Sequence, residues 1–301
     1  MHYNLVMMKK LLLSIFTLFF IATGAFSFPI LTQTPIDNRF IKVGHTLALA
    51  NVAHGNVYGA LEKYFEILAY NPDDLYANYY LGVIYEGIGN KKQASKYYKK
   101  AISFEPDDSK IYHTYGMFVA KTSSNKKALN FLEKALDISP YDADILYDTG
   151  ILYTEIKDNE KAIKYFIEAT KNNEEFSAAY NNVCYTLALE DKFNEALPYC
   201  EKAIKYDDKS FAAYDSIGYV YNGLGQYDKA VEFFETALKI NNTTGEIYFH
   251  LAQALEAKGA YDDAITNYQV ASVLDKQYKN QSLKGIKNCR KQIAKSQKQA
   301  I

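Results

Sequence analysis

Residues 211–244 read FAAYDSIGYVYNGLGQYDKAVEFFETALKINNTT, and three small side chains in them decide the fold. Ala230, Phe234 and Ala237 are separated by four, three and seven residues, the spacing of one helical face. Gly218 lies in a second helical stretch upstream, and Gly225 falls between the two, where a turn needs a permissive backbone. Antiparallel helices approach closely only where side chains are small. Ile217 and Phe234 are the large residues flanking that contact. The stretch is a helical hairpin, and a unit of this size cannot bury its apolar faces alone.

The pattern returns every 34 residues without an insertion. Ala60, Ala94, Ala128, Ala162, Ala196, Ala230 and Ala264 form one series. Ile67, Ala101, Ala135, Ala169, Ala203, Ala237 and Ala271 follow seven residues later. Ala48, Gly82, Gly116, Gly150, Cys184, Gly218 and Ala252 precede by twelve. Large residues fill the spaces between units: Tyr64, Tyr98, Leu132, Phe166, Cys200, Phe234 and Tyr268 on the second helix, with Leu47, Leu81, Tyr115, Thr149, Val183, Ile217 and Leu251 on the first. Seven units result, 41–74, 75–108, 109–142, 143–176, 177–210, 211–244 and 245–278.

This pattern resembles the tetratricopeptide repeat family over residues 41–278. The family's Trp near the start of each unit is replaced by Gly44, Asn78, Tyr112, Leu146, Tyr180, Tyr214 and Tyr248. Gly44 marks the first helix as one that frays. The resemblance implies an all-α fold, a right-handed α-solenoid whose concave face is lined by the first helices. Residues 279–301 supply a basic capping helix, with Leu283, Ile286, Ile293 and Ala294 as its apolar stripe. Its cations have two readings, a solvated cap or contact with an anionic surface.

Lys9 and Lys10 precede an apolar run from Leu11 to Ala25, the order of a secretory signal peptide over 1–27. The alternative is an uncleaved membrane anchor. Residues 28–40, with two prolines, form a linker. The usage, rich in Lys, Asn, Ile and Tyr and lacking Trp, is that of an AT-rich bacterial genome. The expectation is an exported protein of the periplasm or cell envelope.

A chain that is 49% hydrophobic and 23% charged can bury a core, and a net charge of −1 argues against nucleic-acid binding by bulk charge. No Gly-rich phosphate loop, HExxH or GxSxG occurs, so neither catalytic residues nor a cofactor are expected. His45, His113 and His250 fall in units one, three and seven, too far apart to share a metal.

The function implied by the resemblance is a non-catalytic scaffold that holds an extended peptide or partner protein. Its expected groove residues are Tyr76, Tyr79, Tyr80, His113, Asp144, Tyr147, Asp148, Asn181, Asn182, Tyr185, Asp215, Tyr219, Phe249 and His250. The carboxylates favour a partner carrying Lys or Arg, and the Tyr rings offer contact area at low entropic cost. The same rings could instead pack between units. A glycan is the second candidate ligand, in a polysaccharide-secretion scaffold. The Lys–Asn–Asn–Lys–Arg clamp of chaperone-binding relatives is absent, because Lys42, Lys110 and the Asn pair are out of phase. Cys184 and Cys200 hold places 8 and 24 of unit five, which face each other across a tight hairpin. They form either a disulfide or two buried thiols, leaving Cys289 unpaired.

Overall fold

The computed structural model describes residues 38–299, so the signal segment and residues 28–37 of the linker lie outside the described residues. Among those described there are fifteen α-helices and no strand. Seven first helices are α1 (Asn38–Ala53), α3 (Leu75–Gly87), α5 (Ser109–Thr122), α7 (Ala143–Glu155), α9 (Ser177–Leu189), α11 (Phe211–Gly223) and α13 (Gly245–Lys258). Each is followed by its second helix: α2 (Val57–Tyr70), α4 (Lys91–Ile102), α6 (Asn125–Ile138), α8 (Asn159–Asn172), α10 (Phe193–Tyr206), α12 (Tyr227–Ile240) and α14 (Tyr261–Leu274). A 3₁₀ turn, Lys276–Tyr278, leads into α15, Lys279–Gln299. The described residues form two bodies, 38–84 and 85–299.

Hairpin closure follows from the small residues. A Cβ added to Gly150 would sit 2.6 Å from the Phe166 ring, and one added to Gly218 would sit 2.7 Å from that of Phe234. Those rings occupy the space a side chain would need. The two alanine series of the second helices have no solvent exposure. Units are cemented by a recurring triplet: Tyr112, Ala135 and Ile145 pack together, then Leu146, Ala169 and Ala179, then Tyr180, Ala203 and Ala213. Each joins both helices of one unit to the first helix of the next, so the core is continuous from unit three into unit six.

The turn inside a hairpin calls for a left-handed residue. Gly55, Gly89, Gly225 and Gly259 supply it with φ of 71°, 78°, 72° and 89°. At the same place in units four and five, Lys157 and Asp191 adopt φ of 64° and 57°, a conformation costly for a residue with a Cβ. Unit three escapes it, because Ser123 there has φ of −140°.

Three expectations change. Helix α1 begins at Asn38, before Ile41, and Gly44 is a buried mid-helix contact rather than a fraying point. A Cβ at Gly44 would lie 3.0 Å from Ile67 Cγ1, so glycine there permits close packing. Leu47 is 47% exposed, whereas its counterparts from Leu81 to Leu251 are buried. Its place in the unit packs against the preceding second helix, and no such helix precedes α1 among the described residues. The stripe that seats α15 is Ser282, Gly285, Ile286 and Cys289, while Leu283 and Ala294 face solvent. Close approach to Tyr268, whose ring lies 2.4 Å from a Cβ built on Gly285, selects small residues over large ones.

Candidate functional site

In the second body a polar contact repeats along the first helices, from the fifth place of one unit to the sixth place of the next. His113 Nε2 lies 2.7 Å from Asp148 Oδ2, tying α5 to α7. Asn182 Nδ2 donates to the Tyr147 hydroxyl at 3.1 Å, tying α9 to α7. His250 Nδ1 lies 3.0 Å from Asp215 Oδ1, tying α13 to α11. Each pair is 35 residues apart, one repeat plus one. The repeat length thus fixes which side chains meet.

The rung between α9 and α11 is missing. Asn181 and Ser216 hold its two places, yet the Asn181 Oδ1 is shielded from solvent and accepts no hydrogen bond. A cavity of about 170 Å³ opens there. Its wall is made by Asn181 and Tyr185 of α9, Asp215 and Ser216 of α11, and Glu246 and Ile247 of α13, with Phe211, Ala212 and Thr244 beside them. A buried carbonyl without a donor costs about 1–3 kcal/mol, a cost that a ligand N–H removes.

Charge in the cavity is unevenly compensated. Burial pushes the His250 pKa down, but the charge and hydrogen bond of Asp215, with Glu246 adding, outweigh it and leave it raised. His250 therefore keeps its proton to higher pH than an ordinary histidine does. Burial, together with Glu246, Asp215 and Tyr219, pushes the Tyr185 phenol up to about 12, so it stays a hydrogen-bond donor. Burial also raises Tyr278, as does Glu246, to which that phenol is hydrogen-bonded. Glu246 accepts from Tyr278 and interacts with His250, but it forms no ion pair with a Lys or Arg among the described residues.

Of the expected groove residues, the structure gathers Asn181, Tyr185, Asp215, Tyr219 and His250. Tyr219 lies 6.2 Å from Tyr185 and 5.2 Å from His250, ring to ring. Tyr79 is 4% exposed and packs on Tyr80, which stacks on Tyr64, so the Tyr79 side chain is core rather than groove. Phe249 is likewise buried between Tyr268 and Tyr278. Tyr147 spends its hydroxyl on Asn182 and its ring on Phe166 and Phe176. His113 and Asp148 satisfy each other, while Tyr76 and Asp144 are exposed. Ser216 and Glu246, at groove-facing places by the family pattern, line the cavity too, and Ile247 joins them without a signal in that pattern. The signal for Glu246 was its second place in unit seven, a groove-facing place by the family pattern. Cys184 and Cys200 are joined, Cα to Cα 5.1 Å, fixing α9 to α10 one residue before Tyr185.

Models of the tetratricopeptide repeat match residues 75–108, 143–176 and 209–277. The first two ranges coincide with units two and four, the phase set by the small residues. The chain carries tetratricopeptide repeats. Solved tetratricopeptide structures share its fold. One, a tetratricopeptide repeat protein from Parabacteroides merdae, is 18% identical with a TM-score of 0.61 and aligns over 82% of this chain and 99% of its own. PilF of Pseudomonas aeruginosa is 18% identical with a TM-score of 0.58, over 70% and 97%. YrrB, described as having an unusual peptide-binding site, is 22% identical with a TM-score of 0.56, over 66% and 99%. At these identities the likeness concerns the fold alone. No curated protein matches this tetratricopeptide chain. Among its described residues, no cluster of three or more His, Cys, Asp or Glu could hold a metal, and no helix is long and apolar enough to cross a membrane.

Proposed function

We propose that this protein is an exported, non-catalytic scaffold that holds an extended segment of a partner protein across units five to seven. A Lys or Arg of that segment enters the cavity toward Glu246. The observation that carries this reading is the unfilled rung: a shielded, unpartnered Asn181 carbonyl opens onto a cavity that also presents the Glu246 carboxylate, which no Lys or Arg pairs, and a phenol donor. A peptide supplies all three complements, a backbone N–H, a cation and a carbonyl. The family's general role as a protein-interaction scaffold agrees with it, as does the peptide-binding site ascribed to YrrB. Export is supported by the Lys9–Ala25 pattern and by the Cys184–Cys200 bond, which suits an oxidising compartment.

Fluorescence anisotropy with Lys-rich and Glu-rich extended peptides tests the site. Glu246→Gln should weaken the Lys-rich peptide by about 10-fold or more, a charge-assisted hydrogen bond being worth roughly 1.5–3 kcal/mol. Asp144→Asn, at an exposed position, should leave binding unchanged. Equal affinity for both peptide types, or recovery of a glycan polymer without protein from envelope extracts, would overturn the reading. Cell fractionation tests the location, and protein found only in the cytosol would refute export.

A further inference from the structure

The last helix carries a surface that the groove does not use. α15 reads KNQSLKGIKNCRKQIAKSQKQ and contains six Lys, one Arg and no acidic residue. At about 100° per residue, its seven cations fall within one arc of roughly 160°. All seven are exposed. The buried side chains Ser282, Ile286 and Cys289 occupy the opposite arc, against α14. None of the seven pairs with a carboxylate among the described residues. The helices α8, α10 and α12, by contrast, each mix Glu with their Lys. The chain has 34 cationic and 35 acidic residues, so without α15 it carries 27 against 35. Two helices carry cations with no acidic residue, α4 with five exposed Lys in a single short helix and α15 with seven cations along a longer arc.

From this geometry we infer that α15 docks the protein on an anionic phospholipid surface, lying along it with the cationic arc facing the headgroups. Leu283, 53% exposed, sits inside that arc, where an apolar side chain reaches the acyl boundary. The arc has a length of roughly 30 Å, with an open depression beside Lys291, Lys295 and Lys298. Nucleic acid fits less well. Arg290 is the one guanidinium in α15, the helix has no aromatic ring to stack on a base, and the rest of the protein would be repelled.

Co-flotation of the full chain with vesicles tests this. Binding is expected to phosphatidylglycerol-containing vesicles and not to pure phosphatidylcholine, and it should disappear when salt is raised well above about 0.1 M. The triple variant Lys284→Gln, Lys287→Gln, Lys291→Gln should weaken binding about 100-fold, at about 1 kcal/mol per cation. Its helical spectrum should be unchanged, because all three side chains are exposed. Equal binding to both vesicle types would assign the attachment to apolar insertion and overturn the inference. Unaltered binding of the triple variant, or tighter binding to a duplex DNA oligonucleotide than to the anionic vesicles, would overturn it too.

Discussion

Replacing Gly218 by Ala is the most direct trial of the packing rule that builds this array. The added methyl would stand 2.7, 2.8 and 3.1 Å from three atoms of the Phe234 ring. Ordinary carbon contacts need about 3.5 Å, so the ring must move or the hairpin must open. Phe234 has no solvent exposure, and its ring centroid lies 5.9 Å from that of His250, so the strain reaches the cavity wall. Overpacking costs about 1–3 kcal/mol, against roughly 1 kcal/mol gained from Ala in a helix interior. The net expectation is a loss of about 1 kcal/mol. With Phe234→Ala in the background the ring is gone, and the sign should reverse to a gain of about 1 kcal/mol. Hydrogen exchange of the α11 and α12 amides reads the local stability of unit six, which suits an array whose units can open separately. If Gly218→Ala stabilises the unit equally in both backgrounds, close approach is not what the small residues provide.

The His250–Asp215 pair should make unit seven sensitive to pH. The folded pKa of His250 is raised, so its stabilisation is complete below about 6.5 and is lost as pH rises through the folded value. Asp215→Asn should flatten that profile, and an NMR titration of His250 at or below the usual histidine value would contradict the pairing. Lys157→Gly should stabilise the unit-four turn by about 1 kcal/mol, because φ of 64° favours glycine. Ser123→Gly, where φ is −140°, should bring no such gain in urea titrations. Reducing the Cys184–Cys200 bond reopens a sequence separation of 16 and should cost unit five about 3 kcal/mol. Equal exchange protection of α9 under oxidising and reducing conditions would show that the bond does not constrain the unit.

The parts legible from sequence are those set by one residue type at one phase. Small residues at fixed places gave the unit length, the pairing of helices and the facing of Cys184 and Cys200. Pairings between units were not legible in the same way, because they depend on displacement along the array. His113 with Asp148, Tyr147 with Asn182 and Asp215 with His250 look unrelated until the extra residue beyond the repeat is known. For the same reason the concave-face pattern admitted Tyr79 and Phe249, whose backbone places face the groove while their rings turn into the core. The stripe of α15 was misread because apolar size was taken as the signal. Where two helices touch at a glycine, Ser282 and Cys289 serve better than Leu283.

The missing rung and the disulfide belong to one argument. Each unit of such an array is held by its neighbours. The joint between α9 and α11 lacks the polar contact of the other rungs, since Asn181 Oδ1 has no partner. A ligand that had to order a helix as well as bind it would bind less tightly. The Cys184–Cys200 bond fastens α9 to α10 one residue before Tyr185. Ligand contacts can then satisfy Asn181 and Glu246 without also paying the entropy of folding unit five. A covalent staple in that unit and an open acceptor at its border are therefore what a preformed binding site requires.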